Sequence, residues 1–271
     1  MEIWLVDVGR SGAALEACEA SKPRLSDQDV VRFNAVRDAG SRQQRRAVAI
    51  ALRLLIARMA GDGRFDRVAF THASAGKPAL PLAHYASPSH GAIVFSLSHA
   101  QDRGLIAVAR TGPVGVDIEG ARQLHMSPAR RLAMVRAAGR IATEAAVAEA
   151  GFGAAVAAAD ADADADVLCA WVRLEAYAKA LGCGIGQVLT DAGVLAPSVG
   201  ARRAAALEAT ACGPPPEGLT TRVLALPDAG ATPGSWFAAV AAPEATLSAM
   251  TPVRVLPETA AGLAALVAGS A

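Results

Sequence analysis

Runs of apolar residues predict short strands and helices in the first part of the chain. Residues 2–8 are largely apolar and predict a strand, and a loop containing Pro23 follows. Ser26 has the side chain of a helix N-cap and predicts a short helix after it. Residues 41–59 carry the strongest helical pattern in the chain, with an apolar face and a separate face lined by arginines.

The middle of the chain carries closely spaced strand patterns. Residues 67–72 predict one strand, and a loop follows at 74–78, where glycine and proline interrupt regular structure. Further apolar runs at 92–98, 104–110 and 114–119 are separated by short turns. This spacing predicts that the last three strands form an antiparallel meander.

Longer helical patterns and further strands fill the rest of the chain. Residues 127–150 predict a helix with a break near Gly139, and residues 169–180 predict another. Between them, the segment 154–167 is rich in alanine and aspartate and predicts a flexible connection. Its alternating aspartates lack the glycine and terminal glutamate of an EF-hand calcium loop. Candidate strands follow at 221–226, 235–241 and 252–256.

The order of these elements predicts an α+β protein. A chain of 271 residues suits one large domain or two small ones with a real core. Helices and antiparallel strands occur in both halves, with a boundary near residue 113. We therefore expect two loosely similar subdomains, at 1–113 and 114–271.

Composition narrows the class of protein without assigning a function. The net charge of +1 argues neither for nor against a nucleic-acid partner. The four cysteines are scattered without metal-ligand spacing, so neither structural zinc nor a disulfide framework is expected. No apolar stretch is long and unbroken enough to predict a membrane span, and the first residues lack a signal-peptide pattern, which favours a cytoplasmic location.

Two acidic residues in the strand at 114–119 are the first candidates for chemistry. Asp117 and Glu119 are two positions apart, so their side chains point to the same side of a strand. Two neighbouring carboxylates repel each other unless a cation lies between them, and few oxygen ligands with room for water favour magnesium. By spacing alone, a solvent-facing acidic pair is the more common explanation, so both interpretations stay open.

The helix at 169–180 offers a third carboxylate. Glu175 could supply a further oxygen ligand, and Lys179 lies one turn later on the same face. The alternative is an ordinary surface ion pair, which contributes only about a few tenths of a kcal/mol to stability.

Cationic and polar groups on several elements suit a ligand that carries several phosphates. For the arginines taken alone, a solvated helical face is the simpler explanation. The candidate contacts are Lys77 and Pro78 in a loop, Ser98 and His99 at the end of a strand, and Arg42, Arg46 and Arg53 on one helical face.

Four segments in this order resemble the Sfp-type 4'-phosphopantetheinyl transferases. They are GKP at 76–78, FSLSH at 95–99, GVDIE at 115–119 and WVRLEAYAK at 171–179. The stretch 235–241 also looks like a late strand of that family. The resemblance spans roughly residues 30–241, and the order and spacing of the segments carry it.

The resemblance implies a fold and a set of binding roles. The fold would consist of two similar subdomains related by a pseudo-two-fold axis, each an antiparallel sheet with helices, with the active site and coenzyme A in the cleft between them. The second subdomain would bind magnesium through Asp117, Glu119 and Glu175, while Lys179 would contact the phosphates of coenzyme A. The contacts to the nucleotide would come from Lys77, Pro78, Ser98, His99 and an arginine among Arg42, Arg45 and Arg46.

The resemblance also implies an activity. The enzyme would transfer 4'-phosphopantetheine from coenzyme A to a serine of an acyl or peptidyl carrier protein and release 3',5'-ADP. Glu175 is the candidate base for the serine hydroxyl, and Lys179 would stabilise charge on the phosphates. The arginine-rich segment 121–140 is expected to bind an acidic carrier protein, and a solvated basic helix is the alternative that stays open. A monomer is favoured, and neither a nucleic-acid nor a membrane partner is expected.

One position departs from the family pattern. The last segment of the family usually has a lysine before the glutamate, where this chain has Leu174, so one positive charge near the diphosphate is missing. Arg173 could partly replace that charge. Two other functions therefore stay open. One is a coenzyme A-binding relative with weak or lost transferase activity, and the other is a magnesium-dependent nucleotide pyrophosphohydrolase, whose chemistry also uses carboxylates and basic residues.

Overall fold

The protein is a mixed α+β structure that divides into two compact units. The computed structural model describes residues 1–72, 76–81, 92–110, 112–142, 164–195, 216–227 and 235–269. The first unit comprises Met1–Thr71, Pro78–Thr111 and Thr251–Ala271, and the second comprises His72–Lys77 and Gly112–Met250. The predicted α+β class is confirmed.

The helices and strands of the described residues follow one another in mixed order. None of these helices has the length and apolar character needed to cross a membrane. In chain order the elements are β1 (Glu2–Asp7), α1 (Val8–Ser21), α2 (Asp27–Asn34), α3 (Ala39–Ala60), β2 (Thr71–His72), β3 (Pro78–Ala79), β4 (Val94–Ala100), β5 (Arg103–Ala109), β6 (Gly115–Gly120), α4 (Pro128–Arg140), α5 (Asp164–Leu181), α6 (Ile185–Asp191), β7 (Leu219–Val223), β8 (Trp236–Pro243), α7 (Glu244–Ser248), β9 (Arg254–Val255) and α8 (Ala260–Val267).

A sheet of order β4-β5-β1-β9 forms the framework of the first unit. β5 is antiparallel to both β4 and β1, whereas β9 runs parallel to β1. Helix α3 packs on this sheet through buried residues such as Val48 and Leu52, which share a core with Ile106. The side chain of Asp38 caps the start of α3, and Gly61 ends it in a left-handed conformation with φ of 78°.

The second unit stacks three layers on one another. The first layer is an antiparallel sheet of order β6-β8-β7. Helix α5 packs against β6 and β8, and helices α4 and α6 pack on the other side of α5. Helix α5 is therefore the central element of the unit, with one face on the sheet and another in a helical core.

Helix α5 begins earlier than the predicted helix at 169–180. Asp164 and Asp166 lie in its first turn, where acidic side chains complement the positive end of the helix dipole. Asp164 also lies 2.7 Å from the guanidinium of Arg131 on α4. Residues 154–163 of the predicted connection, and residues 143–150 of the predicted preceding helix, lie outside the described residues.

Helix α1 replaces the loop that the sequence predicts after the first strand. The side chain of Asp7 caps this helix and accepts a hydrogen bond from the backbone N–H of Arg10 at 3.1 Å. Gly9 and Gly12 lower the helical propensity of its first turns, so the local pattern does not predict it. The cap and the packing of α1 against α3 together select the helix.

Two strand predictions are corrected. The strand expected at 67–72 is reduced to β2, because the backbone of Arg67 is left-handed (φ 61°) and the carbonyl of Val68 accepts a hydrogen bond from Arg53 at 2.6 Å. The predicted meander is wrong in its third strand. β4 and β5 pair as expected, but β6 pairs with β8 in the sheet of the second unit. Spacing alone does not distinguish a hairpin from a connection between two sheets.

Arg53 is a structural residue of the first unit rather than part of a solvated arginine face. Its guanidinium is buried, lies 2.6 Å from Asp29 Oδ2, and stacks over the ring of Phe70 at 3.7 Å. Burial lowers the pKa of Arg53, and the Asp29 carboxylate acts in the opposite direction. Arg53 is therefore committed to holding α2 and α3 together.

Candidate functional site

Strand β6 presents its acidic residues to the face of the sheet that α5 covers. Gly115 pairs with Ala241 and Asp117 pairs with Ala239 on β8. Both alanines pack in a cluster with residues of α5. Because directly opposed residues of antiparallel strands share a face, Asp117 and Glu119 also lie on the side of α5.

Helix α5 approaches β6 almost backbone to backbone. A Cβ atom at Gly115 would overlap the carbonyl oxygen of Ala176 and lie 2.5 Å from the backbone nitrogen of Ala180. Only glycine allows so close an approach. The contact fixes the turn of α5 that carries Glu175 and Lys179, since each of them directly precedes one of these alanines.

The central contact of the site joins Lys179 to Asp117. Lys179 Nζ donates a hydrogen bond to Asp117 Oδ1 at 2.8 Å, and the side chains are 25% and 5% exposed, respectively. A second cation, Arg122, lies 3.6 Å from Glu119 Oε2 at a more exposed position. Both carboxylates of β6 thus have a cationic neighbour.

The negative charge of Glu175 is less fully compensated than the charges of Asp117 and Glu119. Burial raises the pKa of Glu175; Lys179 opposes this, while the charges of Asp117 and Glu119 add to it. Among the described residues, its buried Oε2 atom accepts no hydrogen bond. Burial also raises the pKa of Glu119, where Arg122 opposes the shift and Asp117 adds to it. The three carboxylates therefore lie close enough to repel one another.

The donor atoms and the electrostatics of this cluster fit a magnesium ion. All three candidate ligands are carboxylate oxygens, which this ion prefers, and a divalent charge would offset their mutual repulsion. It would also give Glu175 Oε2 a partner. In the described ranges, no three His, Cys, Asp or Glu side chains are already gathered closely enough to hold a metal ion. A bound ion would require the side chains around Asp117 to rearrange.

Lys77 lies in the same unit as the carboxylates. Its Nζ donates a hydrogen bond to the backbone carbonyl of Val114 at 3.0 Å, immediately before β6 begins. Burial lowers the pKa of Lys77 to about 8. Pro78, the next residue, begins the short strand β3. Lys77 therefore combines a cationic group with a position at the base of the acidic strand.

The other predicted nucleotide contacts belong to the first unit. Ser98 and His99 lie near the end of β4, and Ser98 is buried. Arg42 donates a hydrogen bond to a backbone carbonyl at 2.8 Å, and Arg46 binds Glu16 at 2.8 Å. Both arginines thus have partners within their own unit, with which an anionic ligand would compete.

The position before Glu175 faces the helical core. Leu174 is 1% exposed and packs with residues of α4 and α6. Arg173 is completely buried and lies about 200° around the helix from Glu175. Burial lowers the pKa of Arg173. Arg173 therefore does not supply the positive charge that the family pattern has before the glutamate.

Two residues that shape the site were not recognised as such from the sequence. Gly115 permits the close approach of α5, and the signal for it was a strand glycine together with the small residues Ala176 and Ala180, spaced four apart. The sequence places Arg122 in the basic segment 121–140, whereas in the structure its guanidinium lies 3.6 Å from Glu119. A spacing of three residues does not predict this contact by itself, because the contact depends on the conformation of the chain just after β6.

Comparison with known proteins adds no relative from which a function could be transferred. Neither a protein-family model nor a curated protein matches the chain significantly. The function must therefore be inferred from the residues of the site and from the order of their motifs.

Proposed function

We propose that the chain is a magnesium-dependent 4'-phosphopantetheinyl transferase, a holo-[carrier protein] synthase that uses coenzyme A as co-substrate. The observation that carries the proposal is the placement of Glu175 and Lys179 on α5 directly beside Asp117 and Glu119 on β6. Two separate sequence motifs thereby contribute to one acidic cluster with a lysine in it. The pseudo-two-fold relation of the two halves and a coenzyme A cleft between them belong to the proposal as well.

The chemistry follows from the charges of these side chains. Asp117, Glu119 and Glu175 would hold magnesium, which supplies positive charge to the diphosphate of coenzyme A. The serine oxygen of the carrier forms a bond to the β-phosphorus, and the bond from that phosphorus to the bridging oxygen breaks, so that 3',5'-ADP leaves. Glu175 accepts the serine proton as general base. Lys179 donates hydrogen bonds to the phosphate oxygens.

The direct test measures the mass of a carrier protein after incubation with this protein, coenzyme A and magnesium. A gain of one phosphopantetheine on the apo carrier supports the proposal, and a carrier whose acceptor serine is replaced by alanine is the matched control. Several acyl and peptidyl carriers have to be offered, because the sequence does not select among them. Absence of any mass gain across such a panel would contradict the proposal.

The burial of Leu174 favours a second candidate function, a coenzyme A-binding relative with weak or lost transferase activity. With Leu174 and Arg173 both buried, the turn before Glu175 provides no cation for the diphosphate. The same experiment separates the candidates. Binding of coenzyme A without a mass gain supports the weakened relative. Hydrolysis of coenzyme A in the absence of a carrier supports a nucleotide pyrophosphohydrolase.

Binding of coenzyme A is expected to weaken as the pH is raised through about 8, because Lys77 loses its proton near that value. A neutral amine no longer attracts a phosphate group. The dissociation constant, measured by calorimetry over this pH range, checks the expectation. In Lys77→Gln the affinity should be lower at neutral pH and should show no such transition, which separates Lys77 from ionisable groups of coenzyme A itself.

The same pKa shift acts on folding in the opposite sense. Unfolded Lys77 keeps its proton up to its ordinary pKa of 10.5, so the unfolded chain binds more protons between about 8 and 10.5 and the folded state gains stability as the pH rises there. The binding experiment has a clear contradicting outcome. If the wild-type affinity for coenzyme A does not change with pH, Lys77 is not one of the phosphate contacts.

Charge reversal at Arg130 and Arg136 is expected to raise the Michaelis constant for the carrier protein severalfold and to leave coenzyme A binding unchanged. Arg130 and Arg136 are exposed residues of α4, whereas the Arg131 side chain is only 11% exposed and lies 2.7 Å from Asp164, so its reversal would disturb the fold. Exposed interface charges act mainly on association, so the effect should weaken at high salt.

A control matched in charge to the single reversal Arg130→Glu is Arg37→Glu, which reverses an exposed arginine of the first unit. It should leave the Michaelis constant for the carrier unaltered. Equal effects of Arg37→Glu and of Arg130→Glu would show that net charge, rather than the segment 121–140, governs carrier binding.

A further inference from the structure

We infer that Lys179 is an internal counterion of the acidic cluster formed by Asp117, Glu119 and Glu175. A divalent cation that binds this cluster must displace the Lys179 ammonium group from Asp117. The displaced ammonium group then becomes available to substrate phosphates. The inference rests on the proposed function and adds to it a competition between a side chain and the metal for one carboxylate. It concerns metal affinity in the absence of substrate, which transferase activity does not report.

The geometry places the lysine on the most buried carboxylate of the cluster. Lys179 Nζ lies 2.8 Å from Asp117 Oδ1, and the Asp117 side chain is only 5% exposed. A charge this deeply buried needs a cationic or hydrogen-bonding partner to stay ionised. A metal ion that uses Asp117 therefore competes with an existing charge-assisted hydrogen bond rather than with solvent alone.

The charges of the cluster explain why the lysine would leave. Asp117, Glu119 and Glu175 carry three negative charges when ionised, against one positive charge each on Lys179 and Arg122. Among the described residues, these five side chains thus carry an excess of one negative charge while Lys179 is in place. A divalent cation turns this into an excess of one positive charge, so repulsion from the ion adds to the loss of the Asp117 contact.

The backbone allows this exchange to occur through the side chain alone. The close contact of Ala176 and Ala180 with Gly115 fixes α5 against β6. The Lys179 side chain is 25% exposed and has a flexible four-carbon stem, so its ammonium group can move while the helix stays in place. Anionic phosphate oxygens at the metal are the natural new partners for the released group.

The alternative is a permanent structural ion pair in which Lys179 holds Asp117 in position whether or not a metal is bound. The two cases differ in the sign of one measurable effect. Removal of a competing cation tightens metal binding, whereas removal of a positioning partner weakens it.

The experiment is a titration of the wild-type protein and of Lys179→Met with Mn²⁺ alone, followed by calorimetry and by the electron paramagnetic resonance of free Mn²⁺. We expect Lys179→Met to bind Mn²⁺ roughly two- to fivefold more tightly than the wild type, the range for loss of a partly exposed ion pair. Lys22→Met is the matched control, because it removes a lysine that is also paired with an aspartate, Asp66 at 3.1 Å, but lies in the first unit and outside the acidic cluster. Its Mn²⁺ affinity should equal that of the wild type.

Coenzyme A provides a second arm of the test. It should tighten Mn²⁺ binding more in the wild type than in Lys179→Met, because only the wild type has a displaced ammonium group for the phosphates to bind. Thermal unfolding of each variant verifies the fold, and Lys179→Gln, which retains a polar side chain, replaces the methionine variant if that one unfolds.

Each outcome bears on a different claim. Tighter Mn²⁺ binding by the Lys179 variants and unchanged binding by Lys22→Met support the exchange. Equal or weaker binding by the Lys179 variants overturns it and leaves the proposed transferase standing. Absence of Mn²⁺ binding in the wild type and in all variants, with and without coenzyme A, overturns the metal site itself and the proposed function with it.

Discussion

Glu175→Gln is expected to lower the rate of phosphopantetheine transfer by about 10²–10⁴-fold, the usual contribution of a general base. The substitution keeps the size of the side chain but removes both its negative charge and its capacity to accept a proton. Glu175 Oε2 is buried without a hydrogen-bond partner in the described structure, and burial raises the pKa of this carboxyl. The measurement is the steady-state rate of carrier modification at saturating coenzyme A.

A matched control lies on the same helix. Asp166→Asn removes a carboxylate from the first turn of α5, away from β6, and should retain the wild-type rate. The concentration of magnesium then separates the two roles assigned to Glu175. If a high magnesium concentration restores the rate of Glu175→Gln, the residue acts as a ligand only and the assignment of a base is wrong. Full activity of the variant at ordinary magnesium concentration would remove Glu175 from both roles.

The local pairings of the candidate site could be predicted from sequence because they depend on backbone periodicity. Asp117 and Glu119 share a side of β6 as the period of a strand requires. Glu175 and Lys179 share a face of α5 as the period of a helix requires. The packing of α5 against β6, which brings the two pairs together, is a feature of the tertiary structure. In the sequence, only the order of the segments that resemble the transferase family indicates it.

Long-range partners account for most of what the sequence did not predict. Strand β6 follows β5 closely in the chain but pairs with β8, which comes much later. Arg53 follows the helical spacing of two half-buried arginines, Arg42 and Arg46, yet it is fully buried because Asp29, on another helix, provides a carboxylate for it. In both cases a partner distant in sequence decides the outcome, and a local pattern contains no information about that partner.

The elements that were predicted best are those with a strong local pattern and a cap. Helix α3 has an apolar face, a capping Asp38 and a terminal Gly61. Helix α1, with Gly9 and Gly12 near its start, has a weak helical pattern, and the sequence predicts a loop in its place. Local propensity is thus a sufficient guide when it agrees with tertiary packing and fails where packing overrides it.

Gly115→Ala is expected to destabilise the protein by about 3 kcal/mol, at the upper end of the range for overpacking a core. The added methyl group would overlap the carbonyl oxygen of Ala176 and crowd the backbone nitrogen of Ala180. Because these are backbone atoms, no rotamer change relieves the overlap, and no substitution at Ala176 removes it. Helix α5 must move away from β6, and Glu175 and Lys179 must move with it.

Chemical denaturation measures the loss of stability, and Gly186→Ala is the matched control. Gly186 lies in α6 of the same unit, where an added Cβ meets nothing within 4 Å, so alanine should be neutral or stabilise the helix by up to about 1 kcal/mol. Where Gly115→Ala remains folded, the displaced α5 should also carry Glu175 away from Asp117 and Glu119 and thereby reduce Mn²⁺ affinity. Wild-type stability and metal affinity in this variant would show that the close approach of α5 to β6 is not what assembles the acidic cluster.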